Sequence, residues 1–498
     1  MAGGRRGGEL AAPLRAFRTA LGRGAVLTAE ADLREHRDPY SFAGWDEFVP
    51  GAVVMPATVE EVQAVVRIAG EHRVPLWTFS QGRNNAYGGT APRLSGSVLV
   101  SLRRMNRVLE VDEELCTALV EPGVRFFDLY EHVRAAGHRV WISVPDLGWG
   151  SVIGNTLDHG WGFTPHGDHA SNQCGMEVVL AGGEVLRTGM GAMTGSRTWQ
   201  AYRRSFGPSA DGLFMQSNFG IVTKMGIWLM PRPERYASCW VRVPDEPDLE
   251  PLIDTLRPLL LDRTIPNHPL IGGPRGANAM GVAEPGPWNM RFALYGHEEV
   301  VEAQYAIVEA AFSRIPGAVV GRRTYAGHEV AGAADAGDRV QAGVPGMDML
   351  ELVKQRGGER GGHLDFSPVC PLTGRDAVRM CALMRSLAER HGVAYAPGLI
   401  CSARSIVHIL PMIFDTRDEA ATRRAYDLYR LLIPEVTRAG YGLYRAHLAF
   451  MDQVLDQYDF NDHALRRFDE TLKDALDPAG ILSPGKQGIW PGWLRAGP

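Results

Sequence analysis

Cysteine is scarce in this chain: six residues in 498 (Cys116, Cys174, Cys239, Cys370, Cys381 and Cys401), with no C-x-x-C pair among them. Scattered in this way they lack metal-like spacing, and they point to buried, reduced thiols in a cytoplasmic protein. Long apolar runs are missing too. No window approaches about 18 uncharged apolar residues, so no spanning helix and no membrane partner are expected. Arg5-Arg6 is followed by Gly, Glu and short apolar pieces, which argues against a signal peptide. Basic charge is not in excess. A net charge of −5 and a pI near 6.3 leave no reason to expect nucleic acid as a partner.

Several site motifs are absent as well. No G-x-G-x-x-G follows a strand, and Gly148-Trp149-Gly150-Ser151-Val152-Ile153-Gly154 misses the spacing by one residue. A P-loop and a G-x-S-x-G elbow are also lacking, so a Rossmann site, a phosphate-binding P-loop and a serine nucleophile are not expected. His166-Gly167-Asp168-His169 offers too few ligands for zinc, and no metal is expected.

What is present is enough apolar sequence, 45% of 498 residues, to bury more than one core. From Ala52 the chain alternates short strands and helices. Thr58-Val59-Glu60-Glu61 reads as a capping box opening a helix with Val62, Val65, Val66 and Ala69 on one face, stopped by Pro75. Leu76–Phe79, Ser97–Ser101 and Ala118–Glu121 read as strands, Phe126–Ala136 as a helix, 176–188 as a hairpin, and Gly220–Met230 as a strand. The prolines at 231 and 233 suggest a boundary near 232. Beyond it, charged helices (Glu299–Phe312, Asp376–His391, Thr416–Ala439) alternate with strands (Met290–Tyr295, His363–Ser367, Val407–Phe414), which predicts helices over an antiparallel sheet. Residues 266–288 read as a loop, and Asp462–Leu476 as a helix with Asp462 as N-cap, ended by Asp477-Pro478-Ala479-Gly480.

Gln81-Gly82-Arg83-Asn84-Asn85-Ala86-Tyr87-Gly88-Gly89-Thr90 directly follows the apolar run 74–79. Gly and Asn accept the positive φ that a concave nest of backbone N–H groups requires, and such a nest suits a pyrophosphate. Taken alone, a turn of this kind more often just joins two elements. Two further Gly/Asp/Asn loops, 145–156 and 160–169, imply an extended ligand.

These residues resemble a known family. Gly82-Arg83-Asn84-Asn85-Ala86-Tyr87-Gly88-Gly89, Pro145-Asp146-Leu147-Gly148, Gly361-Gly362-His363 and Tyr441-Gly442-Leu443-Tyr444-Arg445 make nearly the whole chain similar to the vanillyl-alcohol oxidase and p-cresol methylhydroxylase flavoproteins, and within them to the bacterial eugenol oxidase type of 4-phenol oxidase. The less specific tail Leu476–Lys486 is common to the wider FAD-binding superfamily.

The resemblance implies an α+β, two-domain FAD-binding fold. Residues 1–232 and 441–498 form the FAD domain, and 233–440 an α+β cap on an antiparallel sheet. It implies FAD bound along Gly82, Arg83, Asn84, Asn85, Asp146, Leu147, Ser151, Gly154, Asn155, Arg339 and Lys486, and linked covalently through His363. Tyr87, Tyr444 and Arg445 would bind a phenol as its anion, and Asp146 would act near the flavin as a base. Hydride would pass from the α carbon of a 4-hydroxybenzyl or vanillyl alcohol, or of a 4-alkyl or 4-allyl guaiacol or syringol, leaving a p-quinone methide. O2 would be reduced to H2O2, in a homodimer or larger homo-oligomer.

Read without the resemblance, His363 is a hydrogen-bonded strand histidine, Tyr444-Arg445 a surface pair and Pro145-Asp146 a turn. The chain departs from its relatives in a shortened segment around 275–290 and at the pocket positions Trp161, His166 and Asp365, with Phe163 beside them. A methylhydroxylase passing electrons to a cytochrome and a non-catalytic flavin-binding protein are the rival readings.

Overall fold

In the computed structural model, which describes residues 10–41, 47–273, 287–333 and 335–495, Thr58 opens the first long helix. Its hydroxyl accepts the Glu61 N–H at 3.2 Å, and Glu61 in turn accepts the Ala57 N–H at 2.6 Å, so two donors at the helix entry are satisfied. Helix Val59–His72 buries Val62, Val65, Val66 and Ala69. Pro75 is not its stop. Arg73 enters the left-handed region (φ 50°) and bonds back to the carbonyls of Ala69 and Gly70, ending the helix two residues early.

Three strands, Ala52–Val54, Val98–Ser101 and Leu76–Phe79, run parallel in a four-stranded sheet, with Val26–Leu27 antiparallel at the edge. The C-terminal tail returns to this sheet: Leu76 N–H donates to Ile481 C=O at 2.7 Å and Ser483 N–H to Leu76 C=O at 2.9 Å. A second, antiparallel sheet orders Val108–Asp112, Thr117–Val120, Ile221–Trp228, Gln173–Val179 and Val185–Arg187. Its last two strands are the hairpin read from residues 176–188.

The pairing changes sheets between Pro231 and Arg235. From Arg235–Val243 onward the strands belong to a nine-stranded antiparallel sheet that includes Trp288–Gly296, Ser405–Asp415 and Gly361–Phe366. Helices Leu249–Leu261, Glu298–Phe312, Gly374–Arg390 and Glu419–Arg438 bury their apolar faces in the core of this part, around Trp288, Phe292, Phe312, Phe366 and Tyr429. The expected α+β architecture is thus present. Gly442–Leu443 also pairs within this sheet, against Pro368–Val369.

Two expectations fail locally. Within 266–288, Leu270–Gly272 is a strand bridging Trp288–Gly296 and Gly398–Cys401, because a partner about 130 residues downstream supplies the ladder that Pro/Gly-rich composition conceals. Residues 274–286, where most of the shortened segment falls, lie outside the described residues. Asp462 is not an N-cap: Asn461, Asp462 and His463 all have φ of 50–55°, and Asp462 instead pairs with Arg467.

The helix end at 473–477 closes on a buried ion pair. Lys473 Nζ, fully buried, donates to Asp477 Oδ2 (2.8 Å), Asn218 C=O (2.9 Å) and Leu482 C=O (2.6 Å). Asp477 also accepts the N–H groups of Ile481 and Leu482. This staple holds the tail against the first two sheets. All six cysteines are free, five of them buried and Cys116 half-buried.

Candidate active site

A cleft enclosing ≈ 2100 Å³ of atom-free space, mouth included, runs between the loops. Without the open mouth the cavity is ≈ 370 Å³, within the roughly 300–1,000 Å³ of small-molecule pockets. Its wall gathers Gly82, Arg83, Asn84 and Tyr87 from the first loop, Leu147, Ser151, Gly154 and Asn155 from the second, and Trp161 and Phe163 from the third. Asp365, Tyr444, Arg445 and Lys486 complete the predicted residues on it. Asn85, Asp146, His166, Arg339 and His363 do not line it.

The first loop needs glycine for a specific reason. Gly82 (φ 63°) and Gly88 (φ 101°) sit where a Cβ would come 2.0 Å from Thr90 Cγ2 and 1.8 Å from Leu448 Cδ2. The asparagines do not share this role. Neither Asn84 nor Asn85 has positive φ; Asn84 C=O instead accepts the N–H groups of Tyr87 and Gly89, closing a tight turn. Asn85 turns its side chain to the Tyr40 hydroxyl. In the second loop Ser151 caps the short helix Val152–Leu157 through Gly154 N–H (3.0 Å), and Asn155 Oδ1 meets His169 Nδ1 at 2.6 Å. Both side chains therefore shape the loop.

Cationic groups stand along this wall. Arg83 is exposed, lies over the Trp149 ring at 5.3 Å and makes no ion pair with a described residue, and Lys486 Nζ is a loose 3.7 Å from Asp158 Oδ1. A pyrophosphate-bearing cofactor fits this donor set. Among the described residues no cluster of three or more His, Cys, Asp and Glu could hold a metal.

At the other end, Tyr87, Tyr444 and Arg445 converge. The Arg445 guanidinium carbon is 5.6 Å from the Tyr87 ring centroid and 5.3 Å from that of Tyr444, and Nε donates to Asp158 C=O at 2.6 Å. Tyr87 Oη lies 3.2 Å from Ser367 Oγ, and Gln216 Nε2 donates to Tyr444 C=O at 2.7 Å. Burial pushes both phenols up, Tyr87 strongly, so each stays a hydroxyl donor at neutral pH. Burial works against the charge of Arg445, but Tyr444, Tyr87 and Asp158 together outweigh it and raise its pKa. Two hydroxyls and one guanidinium facing one space favour an anion.

Asp146 is buried with φ 74°. Its Oδ2 accepts Met349 N–H at 2.8 Å and its carbonyl accepts Gly346 N–H at 2.9 Å, while Gly148 N–H returns to Gly346 C=O at 2.9 Å. A segment of the second part is thereby sewn to the 145–148 loop. Burial lifts the Asp146 carboxyl to about 6; the Met349 N–H opposes this, Asp348 adds to it and Arg339 opposes it. Arg339 itself is tied to Ala333 C=O (2.9 Å) and Asp348 (3.3 Å), and acts on Asp146 from a distance.

Trp161 packs edge-on against His268, with ring centroids 4.8 Å apart, and borders both the cleft and a second cavity that also touches Tyr444. His166 stays apart from both, half-buried, its pKa lowered by burial. Three residues at the site escaped sequence reading. Tyr40, Asp158 and Gln216 reach it only through folding, and a Tyr, an Asp and a Gln in loops carry no local signal of that.

Comparison with known proteins places this geometry. The FAD binding domain matches residues 50–189, and the C-terminal domain of FAD linked oxidases matches 276–487. The chain is 36% identical to the 4-cresol dehydrogenase [hydroxylating] flavoprotein subunit of Pseudomonas putida, over 97% of this chain and 96% of that protein. Among solved structures, 4-ethylphenol oxidase from Gulosibacter chungangensis in its isoeugenol complex superposes with a TM-score of 0.93 at 37% identity, covering 99% of each chain. Substrate-bound p-cresol methylhydroxylase gives 0.91 at 34% identity, covering 98% of each.

Proposed function

The chain belongs to the vanillyl-alcohol oxidase/p-cresol methylhydroxylase family of FAD-binding oxidoreductases, and on that premise we propose that it oxidises para-substituted phenols at the α carbon, with O2 as electron acceptor and H2O2 as product. The observation that carries this is the convergence of Tyr87, Tyr444 and Arg445. Substrates of the 4-hydroxybenzyl and vanillyl alcohol, 4-alkyl and 4-allyl guaiacol and syringol classes, such as lignin yields, have the phenol this site would bind.

In this reading residues 1–232 and 441–498 hold FAD and 233–440 close over the substrate, in a homodimer or larger assembly. Gly82, Arg83, Asn84, Leu147, Gly154 and Lys486 hold the cofactor's length, and His363 carries a covalent link to it. FAD, when bound, supplies the acceptor for the hydride leaving the α carbon. Tyr87, Tyr444 and Arg445 hold the substrate oxygen as phenolate, whose electrons favour loss of that hydride. Trp161 and Phe163 wall the ring. Asp146 takes the proton of the water that completes the reaction.

The test is anaerobic flavin bleaching followed by an O2 assay. Vanillyl alcohol should bleach the flavin, while 3,4-dimethoxybenzyl alcohol, which cannot become a phenolate, should not; comparable rates would overturn the reading. Similarity to a 4-cresol dehydrogenase supports a second reading, electron transfer to a cytochrome. Less than one H2O2 per substrate turned over in air would favour it.

Asp146 gives this reading a pH signature. With the carboxyl raised to about 6 by burial, the base is protonated below that value and ionised above it. Oxidation of a 4-alkylphenol should therefore climb with pH through about 6 and level off. In Asp146→Asn the limb should vanish and the rate fall roughly 10²–10⁴-fold. A variant whose pH profile matches wild type reduces Asp146 to a turn residue.

A further inference from the structure

Asp365 follows His363 by two residues in the strand Gly361–Phe366, so strand geometry turns both side chains to one face. His363 Nδ1 and Asp365 Oδ1 are 2.9 Å apart, with the two side chains 15% and 19% exposed. Nε2 makes no hydrogen bond with a described residue. The Tyr40 ring lies beside the imidazole with centroids 5.5 Å apart, and Tyr40 is itself held by Asn85 and, through its N–H, by Asp38 Oδ1 at 3.1 Å. Gly362 makes this approach possible, since a Cβ there would stand 2.8 Å from Tyr40 Cδ1.

The other face of Asp365 borders the cleft, where its charge works against an anion by raising the pKa of both Tyr87 and Tyr444. A carboxylate in that place needs a compensating task. The geometry points to Asp365 as the positioning residue of His363: it holds the proton on Nδ1, leaves the Nε2 lone pair free to bond the flavin methyl carbon, and stabilises the positive charge that the imidazole gains as the bond forms. The inference rests on the reading that His363 carries the link.

In that step a C–H bond of the methyl is replaced by a C–N bond to Nε2. One proton leaves the methyl and one the imidazole, and two electrons pass through the flavin to dioxygen. One O2 is consumed and one H2O2 released per flavin linked.

Burial lowers the pKa of His363, and Asp365 more than offsets it. Beside it lies the neutral Tyr40 ring, and the turn Asn85–Tyr87 and helix Glu419–Arg438, both packed on the same strand, bring the neutral phenols Tyr87 and Tyr429 to this region. Helix Met349–Gly357, packed on the same strand, carries Glu351, Lys354 and Arg356, and the paired strand ends in Asp415. A protonated imidazole cannot form the bond, so linking should fade as pH drops through the raised value.

The test incubates full-length apoprotein with FAD in air, precipitates it with acid and reads retained flavin by in-gel fluorescence, while fluorescence quenching reports noncovalent FAD affinity. Wild type should retain its flavin and His363→Ala should release it. Asp365→Asn should link roughly ten- to a hundredfold more slowly, with its acid limb moved to lower pH and FAD affinity unchanged. Asp365→Gly, which cannot bond Nδ1 at all, should be as slow, and it carries the test should the Asn variant misfold. Linking at the wild-type rate with an unmoved acid limb would overturn the role of Asp365 alone. Acid release of all flavin from wild type would overturn both this role and the covalent link.

Discussion

Arg445→Ala should slow anaerobic flavin reduction by a phenol about ten- to a hundredfold, with FAD content unchanged. A hydrogen bond to a charged group contributes about 1.5–3 kcal/mol, and that loss falls on the state in which the substrate oxygen carries negative charge. Tyr87 and Tyr444 remain as donors, both held protonated by burial, so binding of the neutral phenol should suffer less than its oxidation. Rapid-mixing spectrophotometry across substrate concentrations separates the two. If the limiting reduction rate is unchanged and only apparent affinity drops, Arg445 binds substrate without acting on its ionisation. The guanidinium also donates to Asp158 C=O, so loop 158–169 should be checked by limited proteolysis in the same variant.

Lys473→Met should be the most destabilising single change considered, at about 3–5 kcal/mol, because it leaves the Asp477 carboxylate buried without its cation. Both groups are fully buried, and Asp477 also holds the N–H groups of Ile481 and Leu482. Asp477→Asn should cost less in the company of Lys473→Met than alone, since neither charge then stands unpaired, while the one carbonyl oxygen of the amide still accepts one of those two N–H groups. Thermal and urea unfolding of the two single variants and the double variant would measure the coupling. Strictly additive losses would mean that the pair acts as two separate hydrogen-bonding groups.

Elements were legible in the sequence where periodicity and caps coincide. Val62, Val65, Val66 and Ala69 declared the helix they form, and the hairpin at 176–188 declared itself through its glycines. The strand Leu270–Gly272 did not, because three residues carry no period and its partners lie elsewhere in the chain. Asp462 failed as a cap because a residue type favours a position without securing the backbone that uses it.

The same division runs through the site. Sequence alone determined which loops could approach a phosphate, since Gly82 and Gly88 need a backbone that other residues resist, and it marked Tyr87, Asp146, His363, Tyr444 and Arg445 through the motifs that carry them. Only tertiary structure decided what those side chains meet. Tyr40 beside His363, Asp365 on its Nδ1, Ser367 against Tyr87 and Met349 N–H on Asp146 are contacts between segments remote in the chain or on one strand face. Their energetics depend on burial and distance, which no local pattern encodes, and burial above all sets the ionisation of Asp146, Tyr87 and Tyr444.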